Sequence, residues 1–263
     1  MPVTPADLAA LKARGEPFVM LTAYDALSAQ VLDEAGIPVL LVGDSLAMVV
    51  LGYDSTLPVG MEEMLIFTAA VARGSRNAMV VGDMPFGSYQ ATVAEAVRNA
   101  AALVKAGAHA VKLEGGARVT KAIARMTRAG IPVMGHLGLT PQSVRALGGF
   151  KVQGRGEHGD EVLADALALQ DAGCFSIVLE AVPAELAARI TGALEIPTIG
   201  IGAGPDVDGQ VLVTPDIIGL TGDPAPRFVK RYSDLRSTLT EAAQRFAKDV
   251  AEGHYPAAEH QYH

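Results

Sequence analysis

Short apolar runs recur along this chain, and each follows a segment in which apolar residues return every three or four positions, so strand-like and helix-like periods alternate. Four copies share one phrase, in which a helix ends at Gly and a strand follows. Ala35-Gly36 leads into the run ending at Asp44, Ala106-Gly107 into the run ending at Glu114, Ala129-Gly130 into the run ending at His136, and Ala172-Gly173 into the run ending at Glu180. Gly at a helix end adopts the left-handed conformation that lets the chain turn back. Looser copies at residues 18–22, 78–83, 196–201 and 216–220 bring the predicted strands to eight. None alternates strictly, so both faces of each strand are expected to be buried, as in parallel strands wrapped by helices. Helices are predicted over 92–106 and 160–172, with an N-capped leading helix over 6–13 after Thr4-Pro5 and a final helix over 234–252.

Eight helix-linked parallel strands close into a single (β/α)8 TIM barrel, an α/β fold, with an open doubly wound sheet as the alternative. A length of 263 residues, 50% of them hydrophobic, suits one such domain over 1–263 with a loosely ordered tail at 253–263. Two connections, 46–60 and 137–159, are longer than a simple strand-to-helix loop needs. Both leave the C-terminal ends of strands, where barrel enzymes place their sites, and the glycine-rich second one reads as a mobile cover.

Charge and cysteine narrow the classes. The formal charge is −8, with Lys and Arg scattered, so neither nucleic acid nor an anionic membrane surface is an expected partner. Cys174 is the single cysteine, which excludes an intrachain disulfide and a zinc–thiolate cluster. The first fifteen residues show no export signal, and no apolar run approaches ~20 residues. The expectation is a soluble, cytoplasmic protein.

The predicted strand ends carry the chemistry. Asp44 closes the second run, Asp83 the third, Glu114 the fourth, His136 the fifth and Glu180 the sixth, while Lys112 lies two residues before Glu114 and so on the same side of its strand. In a barrel these side chains converge on one mouth. Three converging carboxylates repel one another unless a cation is bound, and an oxygen-rich set with no Cys and one His favours Mg²⁺. Such an ion leaves positions for the carboxylate and keto oxygens of a 2-oxo acid, and chelation acidifies the adjacent C–H. Glu180 is the candidate base. Plainer readings exist: an Asp at a strand end can be a loop acceptor or N-cap, Glu114 can pair with Lys112, and His136 can be a satisfied core imidazole. Gly200-Ile-Gly-Ala-Gly204 resembles part of a phosphate loop but reads better as a close-packed turn.

Longer strings point further. Thr22-Ala-Tyr-Asp25, Val42-Gly-Asp-Ser45, Asp54-Ser-Thr-Leu-Pro-Val59, Asp83-Met-Pro-Phe86, Val111-Lys-Leu-Glu-Gly-Gly116, Gly135-His-Leu-Gly-Leu-Thr-Pro-Gln142, Gly149-Phe-Lys-Val-Gln-Gly-Arg155 and Ile199-Gly-Ile-Gly-Ala-Gly204 occur in this order over nearly the whole chain. In these the chain resembles the ketopantoate hydroxymethyltransferase family. The resemblance implies a Mg²⁺-dependent barrel enzyme of pantothenate biosynthesis that transfers a hydroxymethyl group from 5,10-methylenetetrahydrofolate to 3-methyl-2-oxobutanoate, through a Mg-stabilised enolate, giving 2-dehydropantoate. It implies that Asp44 and Asp83 bind the metal, with Glu114 as a direct or water-bridged ligand. Ser45, Lys112 and His136 would hold the oxo acid, with Asp83 also on the substrate side, and Glu180 would take the C3 proton. It further implies a homo-oligomer, a decamer. Ala47, where Gly is common in the family, and Pro215, where His is common, depart from the pattern. The rival readings are a Mg²⁺-dependent aldolase or lyase of 2-oxo acids on the same barrel, and a non-catalytic ligand-binding barrel.

Overall fold

Helix α1 (Pro5–Arg14) starts where the sequence supplies a reciprocal cap. The Thr4 side chain accepts from the Asp7 N–H, the Asp7 carboxylate accepts from the Thr4 N–H at 2.8 Å, and Gly15 at φ 66° ends the helix. The computed structural model describes residues 1–262. After α1 the chain runs through β1 (Phe18–Thr22), α2 (Ala26–Glu34), β2 (Val39–Val42), the short α3 (Leu46–Val49), α4 (Met61–Gly74), β3 (Met79–Asp83), α5 (Val93–Lys105), β4 (Ala110–Glu114) and α6 (Thr120–Arg128). It continues through β5 (Val133–Gly138), the short α7 (Val144–Leu147), α8 (His158–Asp171), β6 (Ser176–Glu180), α9 (Ala184–Ala193), β7 (Thr198–Ile201) and β8 (Gly209–Leu212). The eight strands form a closed parallel barrel in sequence order, with β8 returning to β1 from Phe18↔Gly209 to Leu21↔Leu212. This is the expected (β/α)8 barrel.

One strand is not where the pattern placed it. The eighth is Gly209–Leu212, and the apolar run at 216–220 instead begins inside a short helix, α10 (Thr214–Ile217). Pro215 cannot donate to a strand ladder but is tolerated in the first turn of a helix, so Thr214-Pro215 opens one. The true strand is disguised by Gly209 and Gln210. Gly209 is required by close approach, since a Cβ there would lie 2.7 Å from the Phe18 ring of the neighbouring strand.

Two apolar layers set the stage for the site. Strand residues of one parity, among them Val81, Ala110, Met134, Val178 and Ile199, form a cluster inside the barrel, which Leu8 of α1 joins. Residues of the other parity, among them Val80, Val111, Leu113, Ile177 and Leu179, pack outward against the helices. Asp83, Lys112, Glu114, His136 and Glu180 share the inward parity and lie toward the C-terminal ends of their strands. The barrel interior is therefore apolar through its middle and polar at its C-terminal mouth.

Residues from Thr214 onward form a second compact unit. It contains α10 and α11 (Leu235–Ala251), the latter capped by Asp234, whose side chain accepts from the Ser237 N–H at 3.1 Å. The rings of Phe246 and Tyr255 meet edge to face with centroids 5.3 Å apart. No helix among the described residues is long and apolar enough to cross a membrane.

At the opposite end of the barrel from the polar mouth, His109 makes a reciprocal pair with β3. Its backbone N–H donates to the Val80 carbonyl at 2.8 Å, and the Val80 backbone N–H donates to its ring Nδ1 at 2.9 Å. Nδ1 must be unprotonated to accept, and burial lowers the imidazole pKa from its ordinary value. As pH falls below ~6.5 the unfolded chain takes up this proton first, so stability declines until the folded pKa is passed and then levels off. The thermal midpoint is expected to drop between about pH 7 and about pH 5 more steeply in the wild type than in His109→Gln, whose amide oxygen accepts without titrating. Equal slopes in the two proteins would remove His109 from this role.

Candidate active site

Strand register brings the charged residues together. Asp83 and Lys112 are Cα partners across β3 and β4, Glu114 and His136 across β4 and β5, and Gly138 and Glu180 across β5 and β6. Lys112 Nζ donates to Asp83 Oδ2 at 2.6 Å. The lysine thus pairs across the sheet rather than with Glu114 along its own strand. His136 Nδ1 lies 3.4 Å from Glu114 Oε1 and its Nε2 3.2 Å from Glu180 Oε2, within reach of charge attraction although neither pair is aligned as a hydrogen bond. Asp44 sits two residues beyond β2, and its N–H donates to Asp83 Oδ2 at 3.3 Å. Ser45 turns to Tyr24, with the two hydroxyl oxygens 2.8 Å apart.

Four carboxylates thus face one ammonium and one imidazole in a largely buried mouth. Burial, with Asp83 and Glu114 nearby, pushes the Asp44 carboxyl up to about 8 against the opposing pull of Lys112 and Gln142. Burial likewise raises Asp83, although Lys112 opposes it. Burial would lower Lys112, but Asp83, Asp44 and Glu114 outweigh it and hold the ammonium above its ordinary value. For His136, burial and Lys112 pull down, yet Glu114 and Glu180 prevail and the ring is pushed up to about 9. Cys174 is in the outer apolar layer, its thiol pushed up to about 12 by burial, and takes no part in this cluster.

Local backbone geometry fixes the rim. Gly138 at φ 91° ends β5, and a Cβ there would collide with the Glu180 carbonyl, which instead accepts from the Leu139 N–H at 2.8 Å. Ala181, directly after the candidate base, is the one non-glycine residue at positive φ among the described residues, at 48°. It is held from two sides: its N–H donates to Ile201, and its carbonyl accepts from the Gln153 N–H, both at 2.9 Å. The long connection after β5 is therefore tied to the residue that follows Glu180.

Two buried polar residues to which the sequence reading gave no role sit in the middle of the network. Gln142, on the turn Pro141–Ser143, donates through Nε2 to Asp44 Oδ2 and to the Met84 carbonyl, both at 2.9 Å, and through its backbone N–H to Glu114 Oε2 at 3.0 Å. Tyr89 donates to Gln142 Oε1 at 2.7 Å and accepts from the Glu114 N–H at 3.1 Å. Both lie near or inside the recognised strings, but an uncharged polar residue on a loop carries no signal that separates it from a solvated one.

A hard divalent cation suits this donor set. Asp83 Oδ1 and Glu114 Oε1 are buried with no hydrogen-bond partner, and oxygens left that way in a cluster of excess negative charge are the atoms an oxygen-seeking ion would satisfy. Among the described residues no group of three or more His, Cys, Asp or Glu side chains is already gathered to hold a metal. The fit therefore rests on the chemistry of the donors and not on a preformed cage.

A family model described as ketopantoate hydroxymethyltransferase matches residues 2–258. The chain is 59% identical over 257 residues to 3-methyl-2-oxobutanoate hydroxymethyltransferase of Frankia casuarinae, covering 97% of this chain and 87% of that protein. It is 56% identical over 263 residues to the Streptomyces coelicolor enzyme of the same name, covering 99% and 90%. Among solved structures, a phosphonopyruvate hydrolase in complex with oxalate and Mg²⁺ superposes with TM-score 0.63 at 14% identity, covering 98% of this chain and 93% of that one. A 2,3-dimethylmalate lyase does so with TM-score 0.62 at 16% identity, covering 100% and 93%. Likeness at that level of identity speaks for the barrel alone.

Proposed function

From the chain's membership of the ketopantoate hydroxymethyltransferase family, we propose that it transfers a hydroxymethyl group from 5,10-methylenetetrahydrofolate to 3-methyl-2-oxobutanoate, forming 2-dehydropantoate for pantothenate biosynthesis. The observation that carries this reading is the pair of oxygens without a hydrogen bond, Asp83 Oδ1 and Glu114 Oε1, the second of them 3.4 Å from His136 Nδ1, buried in a mouth that also holds Asp44. Asp44 and Asp83 would hold Mg²⁺, with Glu114 as a direct or water-bridged ligand. Bound there, the ion would draw electron density from the keto oxygen of the oxo acid and so acidify C3–H.

The remaining steps belong to side chains. Lys112, whose ammonium Asp83 holds, places positive charge where the anionic oxo acid docks, His136 adds ring nitrogens between Glu114 and Glu180, and Ser45 adds a hydroxyl next to Asp44 in the chain. Glu180 takes the C3 proton onto its carboxylate. Water adds to the methylene carbon as its two C–N bonds to the folate break, which releases tetrahydrofolate and leaves the one-carbon unit at the level of formaldehyde. The electron pair left at C3 then forms the new C–C bond to that carbon, and the former carbonyl oxygen, which came from water, takes up the proton and becomes the hydroxyl. Glu180 is suited to proton exchange because its side chain is 18% exposed, whereas those of Asp83 and Glu114 are each 1% exposed. A base that reaches solvent can release the proton it collects. Assembly as a homodecamer in the cytoplasm belongs to the same reading.

Incubation with 3-methyl-2-oxobutanoate, methylenetetrahydrofolate and Mg²⁺ is expected to yield 2-dehydropantoate and tetrahydrofolate. Turnover of a pyruvate aldol with no such product would favour a 2-oxo acid aldolase or lyase on the same barrel. Absence of both products, and of C3 exchange, would favour a ligand-binding barrel.

A further inference from the structure

Gln142 is buried at the point where three strand ends meet, and its hydrogen-bonding groups are committed. The Met84 carbonyl can only accept, so the side-chain atom 2.9 Å from it must be the amide nitrogen, and the oxygen must face Tyr89. That orientation aims the second amide hydrogen at Asp44 Oδ2, while the backbone N–H of the same residue holds Glu114 Oε2. One residue thus grips one oxygen of each of two carboxylates, one just beyond β2 and one at the end of β4, that are 70 positions apart in the sequence. On Glu114 the other oxygen, Oε1, is the one left without a hydrogen bond. Tyr89 completes the clamp, since it orients the Gln142 amide and also accepts from the Glu114 N–H.

We infer that Gln142 is a positioning residue that fixes the spacing of Asp44 and Glu114, and thereby makes the site selective for a small divalent ion. This rests on the reading of those carboxylates as metal-facing. The physical basis is the difference between two hard cations: Mg²⁺ requires near-ideal octahedral geometry at short distances, whereas Ca²⁺ accepts longer and more irregular coordination. Carboxylates held by a rigid amide favour the first ion; carboxylates released from it lose that preference. Partners that orient ligands typically change metal affinity by ~10–100-fold when removed.

The test is calorimetric binding of Mg²⁺ and of Ca²⁺ to the full-length, metal-stripped protein, comparing wild type with Gln142→Leu, whose side chain is of similar size but neither donates nor accepts, so that the hold on Asp44 is lost while the backbone N–H to Glu114 stays. Mg²⁺ affinity is expected to fall by about 10- to 100-fold and the Mg²⁺-to-Ca²⁺ preference by about tenfold. A general loosening of the fold would weaken both ions alike, so an equal loss for the two, or no loss, overturns the inference. Should Gln142→Leu fail to fold, Tyr89→Phe removes the hydroxyl that both orients the amide and accepts from the Glu114 N–H; a reduced Mg²⁺ preference supports the clamp and an unaltered ratio overturns it. Wild-type protein that binds neither ion overturns the metal reading, and this inference with it. Wild-type selectivity that survives in the variants overturns the inference alone.

Discussion

Asp83→Ala is expected to reduce Mg²⁺ affinity by ~100-fold or more, at or beyond the upper end of what removal of an orienting partner does. It should also destabilise the metal-free protein. The second effect arises because Asp83 Oδ2 is the hydrogen-bonded partner of the buried Lys112 ammonium, at 2.6 Å. Removing one member of a buried pair strands the other, at a cost of about 3–5 kcal/mol. The lower end applies here, since Asp44 and Glu114 also favour the charged lysine. The two effects can be separated: Asp83→Ala combined with Lys112→Met removes the stranded charge, so urea unfolding should return toward the wild-type midpoint while Mg²⁺ binding stays lost. If calorimetry showed Mg²⁺ binding undiminished in Asp83→Ala, ligation by Asp83 would be wrong.

The pairing that drives this prediction was only half legible in the sequence. Spacing of two puts Lys112 and Glu114 on one side of β4, and along-strand pairing between them was a reasonable expectation. Which carboxylate the lysine reaches is decided instead by register between strands, which sets Asp83 opposite Lys112. Register is a property of two segments together, and a single sequence does not display it. The convergence of Asp44, Asp83, Glu114, His136 and Glu180 was legible for the opposite reason. A charge at the end of an apolar run has few places to go, and a barrel sends every such end to the same mouth.

Burial explains the rest of the pattern. Seven strands could be read because their two buried faces demand near-continuous apolar sequence. β8 could not, because Gly209 yields its side-chain space to Phe18 and Gln210 is exposed and donates to the Gly204 carbonyl at 2.9 Å. With no helix between β7 and β8 in the structure, the alternation of periods that marked the other strands fails there as well. Gln142 and Tyr89 are hidden by their chemistry. They are neutral and short of any metal-ligand pattern, and only the buried carboxylates around them reveal what they hold.

Glu180→Gln is expected to lower the rate of C3 hydrogen–deuterium exchange in 3-methyl-2-oxobutanoate by ~10²-fold or more, the scale of a lost general base. Binding of Mg²⁺ and of the oxo acid should change little. The substitution is close to isosteric, and although it removes the charge that stands 3.2 Å from His136 Nε2 in the wild type, Glu114 Oε1 remains 3.4 Å from the other ring nitrogen. The rim geometry should persist too, because Gly138, Leu139 and Ile201 engage the backbone around residue 180 and not its side chain. Exchange is the decisive readout because it isolates proton removal from the later carbon–carbon step and needs no folate. An exchange rate equal to that of the wild type would move the base elsewhere. Loss of exchange together with loss of Mg²⁺ binding would instead mean that Glu180 acts by holding the site's charge balance. Loss of exchange alone leaves proton abstraction as the function of the one carboxylate in the cluster that is both next to His136 and open to water.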